Sequence, residues 1–146
     1  MPMSLADCNS LALRKAARYL GATYDRALSP VGLGARQFSI LQMLHSHGEA
    51  TITVLADMIA MDRTTMASNL KPLTREGLVT VTTSAADRRA RVAAITPEGE
   101  LRYQEALPLW RGVQAQFEER FGSREAAQLR ASLEDVLHAG FEPWAE

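Results

Sequence analysis

Apolar residues recur at three- and four-residue steps along most of this chain, and one short stretch near residue 80 is instead rich in valine and threonine. Leu13, Ala16, Ala17, Leu20, Tyr24 and Leu28 predict a first helix over 5–29. The segment SPVGLG, residues 29–34, interrupts it, because proline and glycine punctuate helices. A second helix is expected over 35–47, with Phe38, Leu41 and Leu44 inward and Gly48 at its end. Thr53 is placed to cap a short third helix in which Leu55, Ala56 and Ile59 face inward. Asp62 caps a fourth, over 63–76, with Met66, Leu70 and Leu73 on its apolar side and Gly77 as its terminating glycine.

Residues 78–83 and 91–96 then read as two strands joined by a polar loop over 84–89. Thr96-Pro97 opens a fifth helix, with a capping threonine and a proline at the first helical position. That helix carries Leu101, Leu107, Trp110, Val113, Phe117 and Phe121, and Pro108 is expected to kink or interrupt it. Gly122-Ser123 precedes a last helix with Ala126, Leu129, Leu133, Val136 and Leu137 at helical spacing. The fold class is thus mainly α with a small β-hairpin wing. A winged helix-turn-helix at 35–97 sits between terminal helices at 5–33 and 98–146, all in one domain over 1–146. The terminal helices carry more apolar surface than the small central domain can cover. Burying each large side chain is worth roughly 1.5–3 kcal/mol, so a two-fold homodimer is the expected closed arrangement.

Charge sharpens this picture. The net charge is only −1, but residues 63–91 hold six basic side chains against two acidic ones, while residues 98–146 hold five against ten. Counterion release responds to the local basic patch and not to the whole-chain sum. A solvated face is the plain alternative. No run approaches the roughly 18 apolar residues of a membrane span, and the first ten residues lack the pattern of a secretory signal. The single cysteine, Cys8, can form no internal disulfide. These features suit a cytoplasmic protein with no membrane partner.

The candidate chemistry is recognition of double-stranded DNA. A helix with small hydroxyl and amide side chains on one face fits the major groove, and arginines on a thin ribbon reach the adjacent minor groove or its phosphates. Arg63, Thr64 and Thr65 open the helix, where N–H groups and the dipole attract phosphate; a plain helix cap is the alternative. Lys71 and Arg75 lie farther along, either reaching the DNA backbone or standing solvated. Arg88 and Arg91 flank the tip around Arg89. His45, His47 and His138 make no metal set, since the first two rings point about 200° apart on a helix with no cysteine or carboxylate at ligand spacing. Phosphate-loop, nucleophile-elbow and dinucleotide glycine motifs are absent. Neither a cofactor nor an enzyme is expected. A winged-helix module that docks proteins and has no operator is the second class of function, and the basic tip favours DNA over it.

The residues Gln37-Phe38-Ser39-Ile40-Leu41, Leu55-Ala56, Asp62-Arg63-Thr64-Thr65, Asn69-Leu70-Lys71-Pro72-Leu73, Glu76-Gly77-Leu78-Val79, Asp87-Arg88-Arg89 and Ile95-Thr96-Pro97-Glu98-Gly99 resemble the MarR family of bacterial transcription regulators in order and spacing. The resemblance implies a homodimer on pseudo-palindromic promoter DNA, usually a repressor released by a small aromatic or phenolic ligand. By position, Arg89 resembles the family's minor-groove arginine, with Asp87 orienting it. Thr64, Thr65, Ser68 and Asn69 fall on the exposed face of the recognition helix. Members often carry a basic residue where this chain has Ser68, which leaves base readout thinner here.

The resemblance also implies a ligand cleft bounded by helix 1, helix 2 and the start of helix 5. Arg14 and Arg18 would pair an acidic ligand there, with Phe38, Met43 and Trp110 as an apolar wall. Otherwise the arginines form ion pairs and the apolar residues are core. Some members sense organic hydroperoxides through a helix-1 cysteine held by tyrosines. Tyr19 and Tyr24 are present here, but Phe38 stands where those sensors have a tyrosine, and Cys8 precedes their sensing position, which falls near Ser10. A reactive thiol needs a neighbourhood that stabilises the thiolate, and only Arg14 and Lys15 are close in sequence. A small buried or interfacial cysteine is the other reading.

Overall fold

The computed structural model describes residues 4–140, so the ends of the expected 1–146 domain, residues 1–3 and 141–146, lie outside the described residues. The first expected helix is two pieces. A short 3-10 turn, Leu5–Asp7, is capped by the Ser4 hydroxyl, and α1 (Asn9–Leu28) starts afresh behind Cys8. The Cys8 backbone is extended, which ends the turn and lets its Sγ accept the Leu11 N–H at 3.4 Å. Only Leu28 of α1 is buried; the expected stripe at Leu13, Ala16 and Ala17 faces outward.

From Leu28 onward the chain builds a core. A 3-10 turn, Ser29–Val31, ends at Gly32, whose left-handed backbone (φ 70) glycine tolerates. Then come α2 (Ala35–His47), β1 (Glu49–Thr51), α3 (Ile52–Met58) and α4 (Arg63–Arg75). Phe38, Ile40, Leu41 and Leu44 of α2 pack with Leu55 of α3 and with Met66, Leu70 and Leu73 of α4. Thr51, not Thr53, caps α3. The extended backbone at the end of β1 aims the Thr51 hydroxyl at the Val54 N–H (3.2 Å), whereas Thr53 is already inside the helix. Ile59 is the residue after this helix and is half-buried.

The expected hairpin is part of a three-stranded sheet. Strands β2 (Val79–Thr83) and β3 (Arg91–Ile95) pair antiparallel, and β1 joins the far side of β3, placing Ala50 opposite Ala93. Following the sheet, α5 (Pro97–Phe121) runs unbroken through Pro108. The proline removes the hydrogen bond to the Gln104 carbonyl, but both residues are exposed, so water can take the place of the missing N–H.

Two compact units divide the chain, one ending at Trp110 and the other beginning at Arg111. In the first, an aromatic ladder ties α1, α2 and α5 together. Tyr24 meets Trp110 at 6.5 Å between ring centroids, Trp110 meets Phe38 at 5.9 Å, Phe38 meets Tyr103 at 5.6 Å, and Tyr103 meets His45 at 4.5 Å. The His45 Nδ1 is also 2.7 Å from the Glu100 carboxylate, so this histidine has a packing role. The second unit holds the end of α5 and α6 (Ser123–Leu137). Val113 and Ala126 are buried, Phe117 stacks on Phe121 at 5.1 Å, and Arg130 pairs with Glu118 at 3.2 Å. Leu101 and Phe121 on α5 and Leu133, Val136 and Leu137 on α6 are exposed, as expected of helices with more apolar surface than the small central domain can cover. Their helices have more apolar positions than either unit has core to receive.

Candidate nucleic-acid interface

The recognition helix is fixed at both ends by its own sequence. Asp62 accepts the Thr65 N–H at 2.8 Å and the Thr65 hydroxyl at 2.7 Å. These two bonds, the hydroxyl's first, hold the Asp62 carboxyl below the usual carboxylate range. Ahead of it, Ala60 takes a left-handed backbone (φ 51), a conformation alanine rarely adopts, in the tight turn between α3 and α4. At the other end Gly77 (φ 73) closes a Schellman motif, with the Leu78 N–H on the Leu73 carbonyl at 2.9 Å and the Gly77 N–H on the Thr74 carbonyl at 3.1 Å.

Met66, Leu70 and Leu73 anchor α4 inward, which turns Arg63, Thr64, Ser68, Lys71 and Arg75 to solvent. Thr65 and Asn69 differ from that group. Both are half-buried; Thr65 serves the cap, and the Asn69 amide donates to the Thr65 carbonyl at 2.9 Å. The Ser68 hydroxyl donates to the same carbonyl at 3.1 Å but remains exposed. Because Asp62 occupies the Thr65 N–H, the exposed Arg63 and Thr64 are the residues of this helix start left open to solvent.

The wing tip is ordered by short-range bonds. Ser84 Oγ accepts the N–H groups of Ala86 and Asp87, Asp87 Oδ1 accepts the Arg89 N–H at 2.9 Å, and the Ala90 N–H returns to the Asp87 carbonyl. Asp87 therefore acts on the backbone of Arg89 and shapes the turn from which its side chain projects. Arg88, Arg89 and Arg91 are exposed. Among the described residues, none of these three, nor Arg63, Lys71 or Arg75, forms an ion pair.

At the wing's base, Thr96 Oγ1 donates to the Gly77 carbonyl at 2.6 Å and accepts the Gly99 N–H at 3.0 Å, while the Thr96 N–H bonds the Leu78 carbonyl at 3.0 Å. A side chain at Gly99 would collide with that Leu78 carbonyl oxygen. The Thr-Pro-Glu-Gly sequence is thus a close-packed joint between the end of α4 and the start of α5.

The five residues expected at a ligand cleft divide into two groups. Arg14 and Arg18 line an open groove of about 820 Å³ formed by α1, the start of α2 and Asn69 of α4, with Asp25, Arg36 and Gln37. Phe38 is core, and Met43 and Trp110 are half-buried against the same core, so none of the three lines that groove. Small residues, Ala17, Gly21 and Ala22, do so instead. Sequence reasoning missed Arg36 and Asp25. Asp25 accepts the Ala35 N–H at 2.7 Å and so joins α1 to the start of α2. Among the described residues no cluster of three metal-binding side chains occurs, and no helix is long and apolar enough to cross a membrane.

The MarR family model matches residues 33–90, from the loop before α2 to the wing tip. The transcriptional regulator MosR of M. tuberculosis, solved in complex with DNA, is 39% identical, covering 89% of this chain and 98% of that one at a TM-score of 0.74. MosR solved alone aligns at 35% identity over 93% of this chain and 99% of that one, with a TM-score of 0.79. A cysteine-to-serine mutant of E. coli MarR bound to operator DNA shares the fold, with 20% identity, a TM-score of 0.77 and coverage of 86% and 91%. No curated protein matches the chain. With the family model on its winged segment and a regulator this similar over nearly its whole length, the chain belongs to the MarR family of DNA-binding transcriptional regulators.

Proposed function

We propose that this regulator acts in the cytoplasm as a homodimeric repressor on pseudo-palindromic promoter DNA and is released by a small aromatic acid or phenol. The observation that carries the DNA half is the wing tip, where three exposed arginines, without ion-pair partners among the described residues, project from a turn that Ser84 and Asp87 hold in shape. Arg89 enters the minor groove, and Arg88 and Arg91 contact its phosphates. Thr64 and Ser68 face base edges in the major groove, Thr65 and Asn69 hold the helix start from beneath, and Arg63, Lys71 and Arg75 meet phosphates.

Residues 35–97 form the reading domain, and the helices at 5–33 and 98–146 form the dimerisation region. The dimer reading rests on Leu13 and Tyr19 of α1 and on Leu133, Val136 and Leu137 of α6, apolar positions left in water. A second copy covers them and sets the two recognition helices one DNA turn apart, roughly 34–36 Å. The effector enters the groove lined by Arg14 and Arg18 and binds best to a dimer whose recognition helices are wrongly spaced. That difference in affinity shifts the population off DNA.

An electrophoretic shift series with the gene's own upstream intergenic DNA tests the reading. A discrete complex that survives excess nonspecific duplex is expected; binding no tighter than to random duplex would overturn it.

A further inference from the structure

Arg36 stands on a ridge between two grooves. On one side lies the groove of α1 and α2, which it lines with Arg14, Arg18 and Asp25. On the other lies a smaller recess of about 250 Å³ that it lines with Asp62 and Thr65, at the start of the recognition helix. Its position in the first turn of α2 puts an exposed guanidinium within reach of both.

Charge decides what each groove takes. Three arginines border the larger groove against the single carboxylate of Asp25, which is already bonded to the Ala35 N–H. Arg14 and Arg18 are four residues apart on one helix and share a face. That excess of positive charge suits an anion, and a planar guanidinium can hold either a carboxylate or a phosphate by paired hydrogen bonds. In the smaller recess the Asp62 carboxylate is occupied by Thr65, and no ion pair links it to Arg36 among the described residues. The Arg36 charge is therefore unspent beside the helix that reads DNA.

We infer that Arg36 is a shared cation, contacting a DNA phosphate beside the recognition helix when the regulator is bound and a carboxylate in the α1–α2 groove when the effector is bound. One guanidinium cannot serve both, so the two ligands compete for it across the ridge. This adds a direct electrostatic exchange to the change of spacing in the effector reading above, on which it rests. Of the acid and the phenol proposed above, it selects the acid, since a neutral phenol offers Arg36 no charge to trade.

The test uses the full-length protein, a duplex selected by it from a random pool, and benzoate as the probe, with chloride at matched ionic strength as the control. Each phosphate contact contributes about 0.9 to the slope of log affinity against log salt. Arg36→Gln should lower that slope by about 0.9, and Arg36→Lys should restore it. Saturating benzoate should lower the wild-type slope by the same amount and leave the Arg36→Gln slope unchanged. A wild-type slope in Arg36→Gln, or a benzoate effect undiminished in that variant, would overturn the inference. So would a wild type that binds the duplex and ignores benzoate, an outcome that leaves the operator reading standing. Failure to select any duplex appears in the wild type before a variant is made, and it overturns both.

Discussion

The wing tip and the last helix are both exposed, but they expose opposite things. The tip offers Arg88, Arg89 and Arg91 on a turn whose backbone polar groups are largely satisfied within itself. The last helix offers Leu133, Val136 and Leu137, which gain nothing from water. An unpaired charge on an ordered turn is stable in solvent and waits for a counter-charge. An apolar stripe is unfavourable until another apolar surface covers it. On the dimer proposed above, one region meets a partner that comes and goes, and the other a partner that stays.

The sharpest way to break that contrast is to put charge on the apolar side. Leu133→Asp combined with Val136→Asp should leave a folded monomer by light scattering at micromolar concentration, with operator binding lost almost completely. A stable dimer in that variant would refute the role given to α6. Arg89→Ala should do the reverse, keeping dimer and melting temperature while operator affinity falls roughly tenfold to a hundredfold, the cost of about 1–3 kcal/mol for a specific contact. Unchanged affinity by fluorescence anisotropy would remove the wing from the interface.

Gly99→Ala tests the joint that both regions depend on. Overpacking against the Leu78 carbonyl should cost about 1–3 kcal/mol in urea unfolding, with no change in residues that touch either partner. Asp62 gives a smaller, pH-dependent effect. Its folded pKa is lowered, so its cap contribution is complete above the unfolded value near 3.8 and is lost as pH falls through the lowered folded value. Asp62→Asn keeps a capping acceptor and should flatten the acid limb of stability in that window. Smallest of all is Cys8→Ser, since serine also caps a helix. Operator binding and induction should both persist, and release by organic hydroperoxide, reversed by reductant and absent in this variant, would favour a thiol sensor instead.

Features that depend on a few neighbouring residues were legible in the sequence. Asp62 and Gly77 bound α4 because caps are local chemistry, and Thr96-Pro97 opens α5 for the same reason. Strand β1 was not legible, because three residues are too few to show a period and its pairing with β3 comes from across the sheet. That missed strand also explains the threonine that caps α3, since Thr51 reaches Val54 only from an extended backbone. Phe38 fitted both core and pocket wall by spacing, and its stacking on Tyr103 and Trp110 makes it core. Arg36 carried no pattern, because the ridge it occupies exists only once α1, α2 and the start of α4 are assembled.

The Thr96 joint has a mechanical consequence. One hydroxyl holds the carbonyl that ends the recognition helix and the amide that begins α5, and Gly99 removes the clearance between them. A linkage with no slack transmits small displacements undiminished. If α5 tilts at its first turn, the end of α4 must travel with it, because there is no soft loop to absorb the motion. The end of the reading helix and the first turn of the long helix are therefore held together as one piece.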